Sequence, residues 1–67
     1  MSIARVTEIT AESPKSFEDA IRTGVERANK TLKNVKGAWV KSMKVITNGG
    51  KITQYRVLLK VTFVLTD

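Results

Sequence analysis

The chain contains no cysteine and no histidine, one proline, one tryptophan and only six acidic residues against twelve basic ones. Without cysteine there is no disulfide to staple the fold, and without cysteine or histidine nearly all zinc and thiolate chemistry is excluded. The same absences remove the usual nucleophiles and general bases, so catalysis is not expected. No apolar run approaches the roughly 20 residues of a membrane-spanning helix, and the opening MSIARVTEIT has no segment apolar enough for a signal peptide. We therefore expect a cytoplasmic protein that does not enter a membrane. The shortage of carboxylates leaves a formal net charge of +6, which attracts anions without selecting among them. The same lysines serve equally well as a solvated face that keeps a small protein soluble.

What the chain does have is enough apolar content to fold: 42% of its 67 residues are hydrophobic and 27% are charged. A single domain over residues 1–67 buries only about 60% of the surface its unfolded chain exposes, which leaves it marginal. With disulfides and nearly all zinc or thiolate sites excluded, contacts between subunits are the remaining source of stability. Residues 3 to 9, IARVTEI, are rich in β-branched types and read as a first strand. A helix then starts near residues 14 to 17, with either Ser13 before Pro14 or Ser16 before Asp19 as its N-cap. From there Phe17, Ala20, Ile21, Gly24, Val25, Ala28 and Leu32 recur at the spacing of one buried helical face.

After KNVKG the period changes to two, over residues 36 to 47 and 51 to 66, joined by TNGGK. Asn48, Gly49 and Gly50 are expected to supply the positive φ angles of a tight hairpin. The order is β-α-β-β, an α+β fold in which a three-stranded antiparallel sheet wraps around one helix. On the last strand Tyr55, Val57, Leu59, Val61, Phe63 and Leu65 share the face toward the helix, and Gln54, Arg56, Leu58, Lys60 and Thr62 share the other. On the middle strand Ala38 and Val40 are assigned to the helix side, and Gly37, Trp39, Lys41, Met43 and Val45 to the opposite side. One helix covers one face, so Trp39, Met43, Val45 and Leu58 should form an apolar patch open to a partner. Burying one tryptophan removes roughly 150–250 Å² from water, about 4–6 kcal/mol as an upper bound. Trp39 is then either subunit packing or a stacking platform for a flat ligand.

The segments AESPKSFEDAI, RANKTLKNVKGAWVK and ITQYRVLLKVTFVL resemble the dodecin family over nearly the whole chain. The resemblance implies a hollow dodecamer with helices outside and sheets inside. It also implies storage of riboflavin or flavin mononucleotide (FMN), stacked in pairs on a strand tryptophan and hydrogen-bonded by a glutamine. Anchored on NV after the helix and VTF near the end, the family's tryptophan falls on Gly37 and its glutamine on Arg56. This chain instead carries Trp39 two residues after Gly37 and Gln54 two residues before Arg56. In antiparallel strands both displacements run toward the hairpin and keep their sheet face. The pair is thus shifted by roughly 6–7 Å along the strand.

Two readings within the family follow. In one, Trp39 stacks on a flavin, Gln54 or Arg56 binds its edge or phosphate, and Gly37 gives room for close approach. In the other, flavin is not bound, Trp39 packs between subunits, and Arg56 with Lys41 and Lys60 holds another anion or the assembly is purely structural. Arg56 favours an anionic ligand because a guanidinium donates two parallel hydrogen bonds to phosphate or carboxylate. A single-stranded nucleic-acid platform is a third reading, disfavoured by having one aromatic on the open face where such modules present two or more. TNGGK lacks the glycine spacing and following helix of a phosphate loop. Glu8, Glu12 and Asp67 are candidate divalent-cation ligands at a subunit junction.

Overall fold

The computed structural model describes residues 3–65; the expected cation ligand Asp67 lies outside them. The element order is β1 (Ile3–Ser13), α1 (Phe17–Leu32), β2 (Val35–Asn48) and β3 (Lys51–Leu65). All strands are antiparallel in one sheet of order β1-β3-β2, with β3 in the centre. β1 is longer than its sequence signal, continuing through Ala11 to Ser13 opposite Tyr55.

Of the two N-cap options the second forms. Ser16 has extended backbone and its hydroxyl accepts from the Asp19 amide at 3.0 Å. Ser13 bridges strand and helix instead. Only 2% exposed, its hydroxyl donates to Asp19 Oδ2 at 2.6 Å and accepts from the Lys15 amide at 3.0 Å. The end of β1 is thereby tied to the first turn of α1. At the other helix end Lys33 and Asn34 take positive φ, 60° and 52°, and the Lys33 amide donates to the Asn29 carbonyl.

The helix presents small residues to the sheet. Ala20, Gly24 and Ala28 are buried against Val57, Leu59 and Val61, with Ile9, Phe17, Ile21, Val25 and Leu32 around them. Small side chains four apart let the helix lie close to the central strand, where three branched residues fill the space. At Gly24 helix and sheet approach closely, since a Cβ there would stand 2.9 Å from Ala11 Cβ and 3.2 Å from Leu59 Cδ1.

Asn48 pairs with Lys51, so the turn has two central residues, Gly49 and Gly50, with φ of 61° and 81°. The positive angles come from the glycines, and Asn48 ends β2 in strand conformation. A second correction concerns β2. Its register slips between Val40 and Ser42, so that Lys41 is an inserted residue. Trp39 opposes Lys60, but Met43 opposes Val57 and Val45 opposes Tyr55. Met43 and Val45 therefore lie on the helix side, not beside Trp39, and Ser42, Lys44 and Ile46 take the open face.

The molecule is long, 52 × 18 × 13 Å. A 16-residue helix covers roughly 24 Å, whereas the 14 residues of β2 extend roughly 46 Å. Beyond the row of Ser13, Tyr55 and Val45 only β2 and β3 continue, residues 46–48 beside 51–54, as a short two-stranded arm.

Candidate functional site

The open face of the sheet is built from residues that alternate away from the helix. Four rows cross it, the first of them Val6, Thr62 and Gly37. Glu8, Lys60 and Trp39 stand side by side in register, as do Thr10, Leu58 and Ser42, and then Glu12, Arg56 and Lys44. The carboxylates sit on edge strand β1 and the cations on β3 and β2. Lys41, projected by the bulge, reaches across to Glu8 at 3.6 Å. The Arg56 guanidinium donates through Nε to Glu12 Oε2 at 2.5 Å, and its Nη2 contacts the same oxygen. Exposed pairs of this kind each contribute on the order of 0.2–1 kcal/mol, so they orient side chains more than they hold the fold.

The expected site residues are dispersed along this face. Trp39 is 67% exposed and borders, with Gly37 and Thr62, a shallow depression of about 390 Å³. Around Gly37 a Cβ would meet nothing within 4 Å. Gln54 pairs with Ile46 near the hairpin, six residues along β3 from Lys60, roughly 20 Å away. Within one subunit Trp39 and Gln54 do not meet. Arg56 lies between them, already engaged by Glu12, with Lys44 on its other side. Lys44 was hidden from sequence reasoning by the bulge, and Glu8 and Glu12 gain their importance as partners of Lys41 and Arg56. Among the described residues no three acidic or other metal-ligating side chains converge.

A match to the Dodecin family model spans residues 3–66. The chain belongs to the dodecin family. The calcium dodecin of Mycobacterium tuberculosis is 36% identical over 64 residues, covering 94% of this chain and 89% of its own. The dodecin from Streptomyces davaonensis superposes with a TM-score of 0.94 at 36% identity, covering 98% of this chain and 97% of its own. The structure of the calcium-chelating dodecin of Mycobacterium tuberculosis gives a TM-score of 0.84 at 32% identity, covering 97% and 93%. Dodecins are small binding and storage proteins, and the β-α-β-β subunit with its single wrapped helix is their fold. No helix among the described residues is long and apolar enough to cross a membrane.

Proposed function

We propose that this dodecin is a non-catalytic subunit of a hollow dodecamer that sequesters a small anionic ligand on its open sheet faces, with FMN as the ligand class. The observation that carries the reading is Trp39: a large ring exposed on the open face in one row with Lys60. An isoalloxazine ring stacks on the indole, and its phosphate has Lys60 and Lys41 within the same neighbourhood. Gly37 leaves the adjoining surface flat, with open space above it. Gln54 lies too far along its own strand to touch a ring on Trp39, so it contributes from another copy. Arg56 binds the phosphate only by exchanging it for Glu12, which favours FMN over uncharged riboflavin.

A second reading is a flavin-free dodecin that holds a divalent cation between copies. It is favoured by the Glu12–Arg56 pair, which fills the position of the family's glutamine, and by the calcium named for the Mycobacterium tuberculosis relative. Glu8 and Glu12, four residues apart on the same face of β1, would be its donors, released from Lys41 and Arg56.

Native mass spectra with FMN, riboflavin and calcium separate the two. Under the first reading the particle takes up FMN in preference to riboflavin, and FMN quenches the emission of the single tryptophan. Trp39→Ala then abolishes uptake while the particle stays assembled. A particle that ignores both flavins and takes up calcium establishes the second reading. In that case Gly37→Trp with Arg56→Gln restores the family's two contacts and should gain flavin binding, because a larger side chain at position 37 meets no obstruction in the subunit.

A further inference from the structure

Two cations of the open face are held by carboxylates that the subunit supplies from its own edge strand β1. Glu12 engages Arg56, and Glu8 engages Lys41 at 3.6 Å. Lys44 stands directly opposite Arg56 on β2, and Glu12 stands opposite it on β1. Like charges directly opposite each other across paired strands repel. Glu12 supplies the negative charge that offsets this repulsion when nothing else is bound.

The contact is open to replacement. Arg56 reaches Glu12 through both Nε and Nη2, yet the two converge on one oxygen, Oε2. The carboxylate therefore does not fill the guanidinium fork with two parallel bonds, the strongest arrangement available to it. The side chains stay in water, 41% exposed for Arg56 and 36% for Glu12, and an ion pair so exposed is weak. A free oxyanion can bring two oxygens to the same edge. Against it stands proximity: strand register delivers Glu8 and Glu12, four residues apart on one face of β1, to their cations at an effective concentration that a free anion must exceed.

We propose that β1 is a built-in competitor for the anion site of the open face, with Glu12 the residue that sets the affinity of Arg56 for an oxyanion. The proposal rests on the reading of the open face as an anion-holding surface. Loading is an exchange in which the oxyanion takes Arg56 and Glu12 is released to solvent. The empty and loaded states differ by one exposed ion pair, so Glu12 lowers the affinity by about 1.4–5-fold. Glu8, through its longer contact with Lys41, lowers it by less. An affinity held down in this way suits a store, because ligand leaves as its free concentration falls and β1 closes on the vacated cations.

Sulfate is the probe, since it needs no stacking on Trp39. Its dissociation constant is measured by titration calorimetry at low ionic strength, where exposed charges are least screened. The assembled wild type is compared with Glu12→Gln, Arg56→Gln and the double variant carrying both substitutions. Glu26→Gln on the helix is the control with the same change in charge, and native mass spectra check that every variant keeps the wild-type subunit number. Glu12→Gln should bind sulfate about 1.4–5-fold more tightly, Glu26→Gln like wild type and Arg56→Gln more weakly, and the gain from Glu12→Gln should vanish once Arg56 is gone. Glu8→Gln, with a smaller gain that depends on Lys41, is the second variant should Glu12→Gln fail to assemble. Sulfate binding unchanged by the loss of the β1 carboxylate, or a gain that persists without its cation, overturns the proposal while leaving the anion-holding surface intact. No sulfate uptake by any of the proteins overturns both.

Discussion

At Asp19 four groups meet: the Ser13 hydroxyl, the Arg22 guanidinium at 2.7 Å, the carboxylate itself and its own amide bound to Ser16. The hydrogen bond from Ser13, then that from Arg22, hold its carboxyl below the ordinary carboxylate range. A depressed folded value means the unfolded chain binds the proton more readily. The contribution to stability is therefore complete above the unfolded pKa, declines as the pH falls below it, and is gone below the folded value. Asp19→Asn should flatten the acid side of a stability–pH profile and leave its neutral to alkaline side parallel to wild type. The Ser16 cap was readable as a serine three residues before an acid. Ser13 was readable only as a competing cap, because its real partner depends on where β1 ends against the helix.

Packing between elements leaves no room for a side chain at Gly24. Alanine there gains about 1 kcal/mol of helix propensity, but its Cβ would be 2.9 Å from another Cβ on β1, which a flexible side chain cannot relieve. Overpacking of this kind costs about 1–3 kcal/mol, so Gly24→Ala should lower the midpoint of thermal unfolding despite the better helix former. The slip in β2 was legible in hindsight. Ala38 and Val40 are two apart, then Met43 and Val45 resume after a gap of three, and a bulge at Lys41 is the one-residue insertion that keeps both pairs on the helix side. A strict alternation through Lys41 instead assigned Met43 and Val45 to the open face, which would have enlarged the apolar surface around Trp39 and hidden Lys44.

At the scale of the molecule, the fully buried large hydrophobic side chains among the described residues are few: Leu59, Val57 and Val61. Each contributes on the order of 1.5–3 kcal/mol by burial, little for a chain of 67 residues against the entropy of ordering it. Folding coupled to assembly makes the unfolding midpoint rise with protein concentration. Thermal melts over a hundredfold dilution series should therefore show a steady fall in midpoint, and a midpoint independent of concentration would mean that the subunit is stable by itself. Met43, Val45 and Ile52 are apolar surface that the subunit by itself leaves exposed.

The sequence by itself determined the β-α-β-β order, the buried face of the helix, the core side of β3 and the position of the hairpin turn, because each rests on local periodicity or local backbone geometry. It also placed Trp39 on the open face. Only the tertiary structure decided the rest. The bulge at Lys41 changes which face later side chains occupy, an offset fixed by pairing with β3 rather than by β2 alone. The cross-strand register set Glu12 against Arg56 and brought Lys41 to Glu8. The difference in rise per residue between helix and strand left an arm that outruns its helix and a helix that overhangs its edge strand. These are relations between segments distant in the chain, and no local pattern encodes the distance between them.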